Sequence, residues 1–221
     1  MLPYRVRVHS SARPLTLVVA AIALTGLVVL AGVLALGVDR SPTAVGEGAP
    51  AVPPSTALAD LDTSTLVVRR EAFCATIAPQ SVAAALDAEA QRETAHAPGD
   101  RAELAEGVRD VAHEHGCSWT GGDATARAWV FAPPVAPGQA RAAADAARRT
   151  DRCTPLPDAP AYGAASVGLA CRTDRGLEIS WRGLFGDAWL TCSLRDRDAP
   201  REQLVDRAGR WCAAVALTTS A

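Results

Sequence analysis

The 221-residue chain has no lysine, no Cys-x-x-Cys pair, no Gly-x-Ser-x-Gly element, no basic cluster and no internal repeat. The missing Cys-x-x-Cys spacing argues against thioredoxin-type redox chemistry and most zinc sites. Without the nucleophile-elbow context, Ser118 and Ser180 carry no hydrolase signature. The formal net charge is −2, and the only basic residues before Leu15 other than His9 are Arg5, Arg7 and Arg13, so the rest of the chain is more acidic than the whole. A mildly acidic domain is a poor binder of nucleic acid. The lack of lysine beside abundant alanine is a codon-composition signature of a GC-rich genome and implies no mechanism.

What is present is a long apolar run. Leu15 to Val38 carries no charge, and its polar side chains are only Thr16 and Thr25. At about 1.5 Å per residue, a helix over it crosses a hydrocarbon core of roughly 30 Å. Three arginines precede it, so the expected topology puts residues 1–14 in the cytoplasm, a single transmembrane helix at 15–38 and the remainder outside the cell membrane. The run is longer than a signal-peptide core, and the Leu36 to Arg40 stretch makes a poor cleavage site. No cysteine follows the run closely enough to take a lipid anchor. Gly26, Ala31 and Gly32 give the span a small-residue face, though not in the Gly-x-x-x-Gly spacing.

Six cysteines, Cys74, Cys117, Cys153, Cys171, Cys192 and Cys212, all follow the run. An even number beyond a membrane span reads as a disulfide framework in an oxidising compartment. Residues 39–65, rich in Pro, Gly, Ala and Ser, read as a tether, and residues 66–221 as the folded extracytoplasmic domain.

Within the domain, Leu66 to Arg69 suggests a short strand. Pro79 suits a first helical turn, with Ile77, Val82, Ala85 and Leu86 on one face. Residues 90–99 read as a loop. Asp100 is expected to cap a second helix with a Leu104, Val108 and Val111 stripe, ended by Gly116. Cys117 to Thr120 and Thr125 to Phe131 read as a hairpin around Gly121-Gly122-Asp123. Pro137 to Arg149 reads as an Ala-rich helix packing through Ala140, Ala143, Ala144 and Ala147. Three strands follow by period-two alternation, around Val167 to Cys171, Leu177 to Arg182 and Ala188 to Arg195. A C-terminal helix after Pro200 presents Leu204, Val205, Ala208, Trp211, Cys212 and Val215. The expected fold is α+β, an antiparallel sheet of about five strands with helices on one face. Cys192 and Cys212 then meet across the core, Cys171 takes Cys153, and Cys74 takes Cys117. Each bridge is worth roughly 2–4 kcal/mol.

A cysteine opening the first helix region in Phe73-Cys74-Ala75-Thr76, a later Cys117-Ser118-Trp119 strand, the Ala-rich helix and the Tyr162-Gly163 step resemble a known type over residues 70–215. It is the small exported domains of unknown function in actinobacterial cell-envelope proteins, many of them lipoproteins. The resemblance implies an α+β fold and an envelope location. It implies no activity and no catalytic residues, and the chain departs from the lipoproteins in having no lipidation cysteine.

Candidate sites are few. His113, Glu114 and His115, with His96 nearby, form the only histidine cluster, but spacing two does not share a helical face, and a polar helix end explains it. Neither a metal nor a cofactor is expected. Asp174, Glu178 and Asp187 are ordinary residues for turns and solvent faces. The segment Gly183-Leu184-Phe185-Gly186-Asp187 reads as a hairpin tip with an apolar centre, flanked by Trp181 and Trp189. Exposed, Leu184, Phe185, Trp181 and Trp189 make a contact surface for a partner or a lipid surface; folded back, they cover one end of the core, as Gly permits. Trp119, Trp129 and Trp211 read as core. The expected function is a non-catalytic, membrane-anchored envelope protein whose outer domain binds an unknown envelope partner or ligand. The alternatives are a carrier of lipid or small apolar ligands, which needs a dry cavity, and an envelope hydrolase without a recognisable motif.

Overall fold

Alternation of apolar with polar side chains builds the architecture. In the computed structural model, which describes residues 56–105 and 107–220, seven strands form one antiparallel sheet. They are β1 (Arg92–His96), β4 (Glu114–Gly121), β5 (Ala124–Phe131), β6 (Cys153–Pro155), β7 (Ala164–Thr173), β8 (Gly176–Phe185) and β9 (Ala188–Asp196). Their spatial order is β1-β4-β5-β9-β8-β7-β6. A separate hairpin pairs β2 (Arg101–Ala105) with β3 (Val108–Val111). The α-helices are α1 (Pro79–Leu86), α2 (Pro137–Arg148) and α3 (Arg201–Thr219).

One face of the sheet is dry. Trp119, Ala126, Ala128, Leu190, Ile179 and Trp181 point into it, and α3 lays Leu204, Ala208, Trp211 and Val215 against them, all buried. α1 adds Val82, Ala85 and Leu86. Trp119 and Trp211 meet edge to face at 5.4 Å, and the Trp211 indole N–H donates to the Arg127 carbonyl at 3.2 Å. Arg207 fastens this layer: it bonds the Ala85 carbonyl at the end of α1 and pairs with Asp196 at 2.9 Å.

Helices cover both faces, not the expected one. β7 is apolar on each side, Gly168 and Ala170 one way and Val167, Leu169 and Cys171 the other, so it must be covered twice. α2 covers the second side with Ala144 and Ala147. Ala140 is also buried on α2, whereas Ala143 is exposed. All six cysteines are paired, Cys74–Cys117, Cys153–Cys171 and Cys192–Cys212, as the sequence reading expects. Cys153 and Cys171 stand directly opposite in the β6–β7 register.

The region before β4 departs from expectation. Leu66 to Arg69 forms no strand; its Arg69 N–H bonds the Thr219 carbonyl at the end of α3. The expected loop at 90–99 contains the edge strand β1. The expected helix after Asp100 is the β2–β3 hairpin, with Gly107 at φ +71 between its strands. Asp100 caps a turn instead, accepting from the Ala97 N–H at 2.8 Å. Val108 and Val111, the expected stripe, are 52% and 38% exposed, so no burial supported a helical face. Gly116 ends nothing: it lies within β4, where a side chain would strike the His96 ring. The packed part of the domain also starts before Leu66, since Leu58 and Thr63 are buried.

The expected span at 15–38, the segment 1–14 and the first part of the tether lie outside the described residues. Among the described residues no helix is long and apolar enough to cross a membrane.

Candidate functional site, an arginine-lined basin

The second face of the sheet changes character beyond β7. Register places Arg92 opposite Thr120, Thr94 opposite Ser118, Arg127 opposite both Ser118 and Ser193, and Arg195 opposite Thr125, all on this face. α2 walls one end of it. The β2–β3 hairpin walls the other, held by the Arg127 guanidinium, which donates to the Leu104 carbonyl at 2.8 Å and the Glu103 carbonyl at 3.3 Å. Beside the hairpin lies a basin of about 200 Å³, lined by Arg92, Thr94, Glu103, Ser118, Thr120, Thr125, Arg127, Arg175 and Arg195. Four cations and four hydroxyls thus surround a single carboxylate, in a chain whose net charge is negative.

Arg127 is the centre of the basin. Burial lowers its pKa below the ordinary arginine value, and the neighbouring Arg195 pushes the same way; Glu178, Glu103 and Glu114 oppose them. It forms no ion pair among the described residues, bonding only neutral carbonyls and lying 5.4 Å from the Trp129 ring centre. Arg182, on the same face of β8 opposite Thr191, is also lowered by burial, with Glu178 opposing, and its Nε has no hydrogen-bond partner. Ser180, Thr191 and Ser193 form a buried polar floor beside them, and the Ser180 hydroxyl is unpaired. A cation taken out of water is costly unless an anion or a dense set of acceptors meets it. Arginine forks beside hydroxyls are the donors that carboxylate and phosphate groups require.

The residues expected to form a contact tip are elsewhere. Leu184 (4%), Phe185 (1%) and Trp181 (2%) are core, and Trp189 is half-buried against the α2 layer. β8 runs on through Phe185, so the turn is Gly186-Asp187, polar as hairpin turns usually are. Gly183 allows this, because a side chain there would overlap the Tyr162 carbonyl, and Phe185 packs edge to face on Tyr162 at 4.9 Å. Asp187 is held by Arg70 at 3.1 Å. Leu184, Phe185 and Trp181 are therefore packed inward and form no exposed apolar tip, while Trp189 keeps part of its ring exposed. Trp119 and Trp211 are core as expected, while Trp129 is half-buried on the basin face.

The histidines lie on strands or beside them, not at a helix end. His96 Nε2 sits 3.6 Å from Glu114 Oε1, beyond hydrogen-bond length. Among the described residues no three His, Cys, Asp or Glu side chains converge as a metal site does. Ser118, weighed as a nucleophile, instead lines the basin, and Ser180 lies buried on the same sheet face opposite Ser193. The basin arginines escaped the sequence reading, although their signal is there: Thr125 and Arg127 alternate with Ala124, Ala126 and Ala128. No family model matches this chain, and no curated protein matches it.

Proposed function

We propose that this protein is a membrane-tethered, extracytoplasmic binding module of the cell envelope, and that the basin on the second sheet face holds an anionic group of its ligand. The apolar run at 15–38, the Pro-rich tether and three disulfides support the tether and the oxidising compartment. The observation that carries the binding role is Arg127, a largely desolvated cation lining the basin that makes no ion pair among the described residues, with Arg182 on the same face equally without one. A purely structural sheet face gains nothing from them, because apolar groups of similar size cover a sheet at no charge-burial cost. Ser180 has an unpaired hydroxyl with no base bonded to it, so the reading is binding without catalysis.

Titration calorimetry of the full-length protein with inorganic phosphate tests the reading. Saturable binding is expected, weakening as salt rises and falling at least about tenfold in Arg127→Gln, the loss of one charge-assisted contact. Equal affinity in the variant removes the basin from consideration. Protease accessibility of the domain on intact and permeabilised cells tests the topology; cleavage only after permeabilisation contradicts it.

A further inference from the structure

The first sheet face is not covered throughout. α3 crosses β8 and β9 and leaves the β7–β6 margin open beside its first turn. There an apolar recess of about 400 Å³ lies between α3 and the Leu156 to Pro160 loop, walled by Leu156, Ala159, Pro160, Trp181 and Val205. The Trp181 indole spans it: Nε1 lies over Gly168 beside Leu156 and Ala159, and the far end of the ring lies against Gly209 of α3. That Nε1 is buried without an acceptor. A second groove of about 480 Å³ adjoins along the same margin, and its lining is cationic, with Arg152, Arg172 and Arg201. Arg201 lines both.

We infer that this composite groove binds a single-chain fatty carboxylate, its tail in the Trp181 recess and its head on Arg201. The inference is independent of the basin on the opposite face. The recess lies in the size range of small-molecule sites and has the usual makeup, apolar walls with few polar groups. The charge at its mouth decides the head group. Arg152 is engaged with Asp174 at 3.0 Å, while Arg201 and Arg172 make no ion pair among the described residues. A guanidinium fork matches a carboxylate in a planar, two-bond contact. Asp158 and Glu202 also line the recess and repel any anion, a phosphate dianion about twice as strongly as a carboxylate, so the head sits toward Arg201 and Arg172 in the cationic groove. An uncharged head leaves Arg201 unanswered.

The test is photo-crosslinking of the full-length protein in its own membrane with three diazirine probes of equal chain length. They carry a carboxylate, a phosphate or an alcohol head, and adducts are mapped by mass spectrometry. Carboxylate adducts are expected on the 156–160 loop and the first turns of α3, competed by excess unlabelled fatty carboxylate. Arg201→Gln, at an exposed position, is expected to lower the yield about tenfold, the loss of one charge-assisted contact. Val205→Phe, half-buried on the recess side of α3, fills the recess and removes the adducts. Adducts spread over the whole domain, or unchanged by Val205→Phe, overturn the site. Equal labelling by the alcohol, or stronger labelling by the phosphate, overturns the carboxylate assignment. Cooperative thermal unfolding of both variants, close to that of wild type, shows that they fold.

Discussion

The two faces of the sheet are written by alternate residues of the same strands, yet they obey different rules. On β5, Ala126, Ala128 and Val130 are wholly buried under α1 and α3, whereas Thr125, Arg127 and Trp129 are half-buried on the opposite face, the first two lining the arginine-rich basin. On β9, Leu190, Cys192 and Leu194 face the dry side and Thr191, Ser193 and Arg195 the polar one. The dry face is stabilised by area removed from water, about 25 cal/mol per Å², and by a disulfide at its centre. The polar face keeps desolvated cations and an unpaired hydroxyl, which subtract from stability. A domain this well stapled can carry such groups, and their presence is the ground for the binding role proposed above.

Substitutions that break the dry face should have the largest effects. Replacing both Cys192 and Cys212 by alanine removes the bridge between β9 and α3 and should cost about 2–5 kcal/mol in denaturant unfolding. Next is Arg207→Met, which strands the Asp196 carboxylate and frees the Ala85 carbonyl, both nearly buried; a loss of roughly 2–3 kcal/mol is expected. The same pair gives a pH signature. Burial alone would raise the Asp196 pKa, but the Asp198 and Ala199 N–H groups and Arg207 outweigh it and hold the carboxyl below its usual value. A depressed carboxyl stabilises fully above the unfolded value of about 3.9 and loses that contribution as pH falls through the lower folded value. Acid unfolding of Asp196→Asn should therefore show a smaller loss of stability below about pH 4 than wild type. A smaller effect is expected of Trp211→Phe, which loses the hydrogen bond to the Arg127 carbonyl, at about 1 kcal/mol. If that variant also weakens phosphate binding, the faces are coupled through the β5 backbone.

Sequence patterning reads burial, and the fold was legible where burial exists. β8 and β9 alternate because one face of each is dry, β7 reads as a short apolar run because both of its faces are covered, and α3 carries a full helical stripe with Cys212 inside it. That stripe and the alternation of β9 were enough to pair Cys192 with Cys212. The segment 92–111 buries almost nothing, so its sequence has no face to announce; Leu104, Val108 and Val111 fall at helical spacing without a core to meet. The apolar Leu184-Phe185 pair misled in the opposite sense, since the turn lies one step later than the glycines suggest. The basin was hidden for a different reason. Arg92, Arg127, Arg175 and Arg195 come from distant segments, each an ordinary polar position by itself. Only the sheet register and the β2–β3 hairpin bring them together into a site, and no single strand encodes that arrangement.

The central claim, that the second face trades stability for anion binding, is tested most directly by the melting temperature of wild type and Arg127→Gln, with and without inorganic phosphate. Without phosphate the variant should melt close to wild type, the two hairpin carbonyl bonds it loses being offset by relief of the buried charge. With phosphate only wild type should rise, following the logarithm of ligand concentration over its dissociation constant. A variant that melts well below wild type without phosphate, yet gains as much from it, would contradict the account.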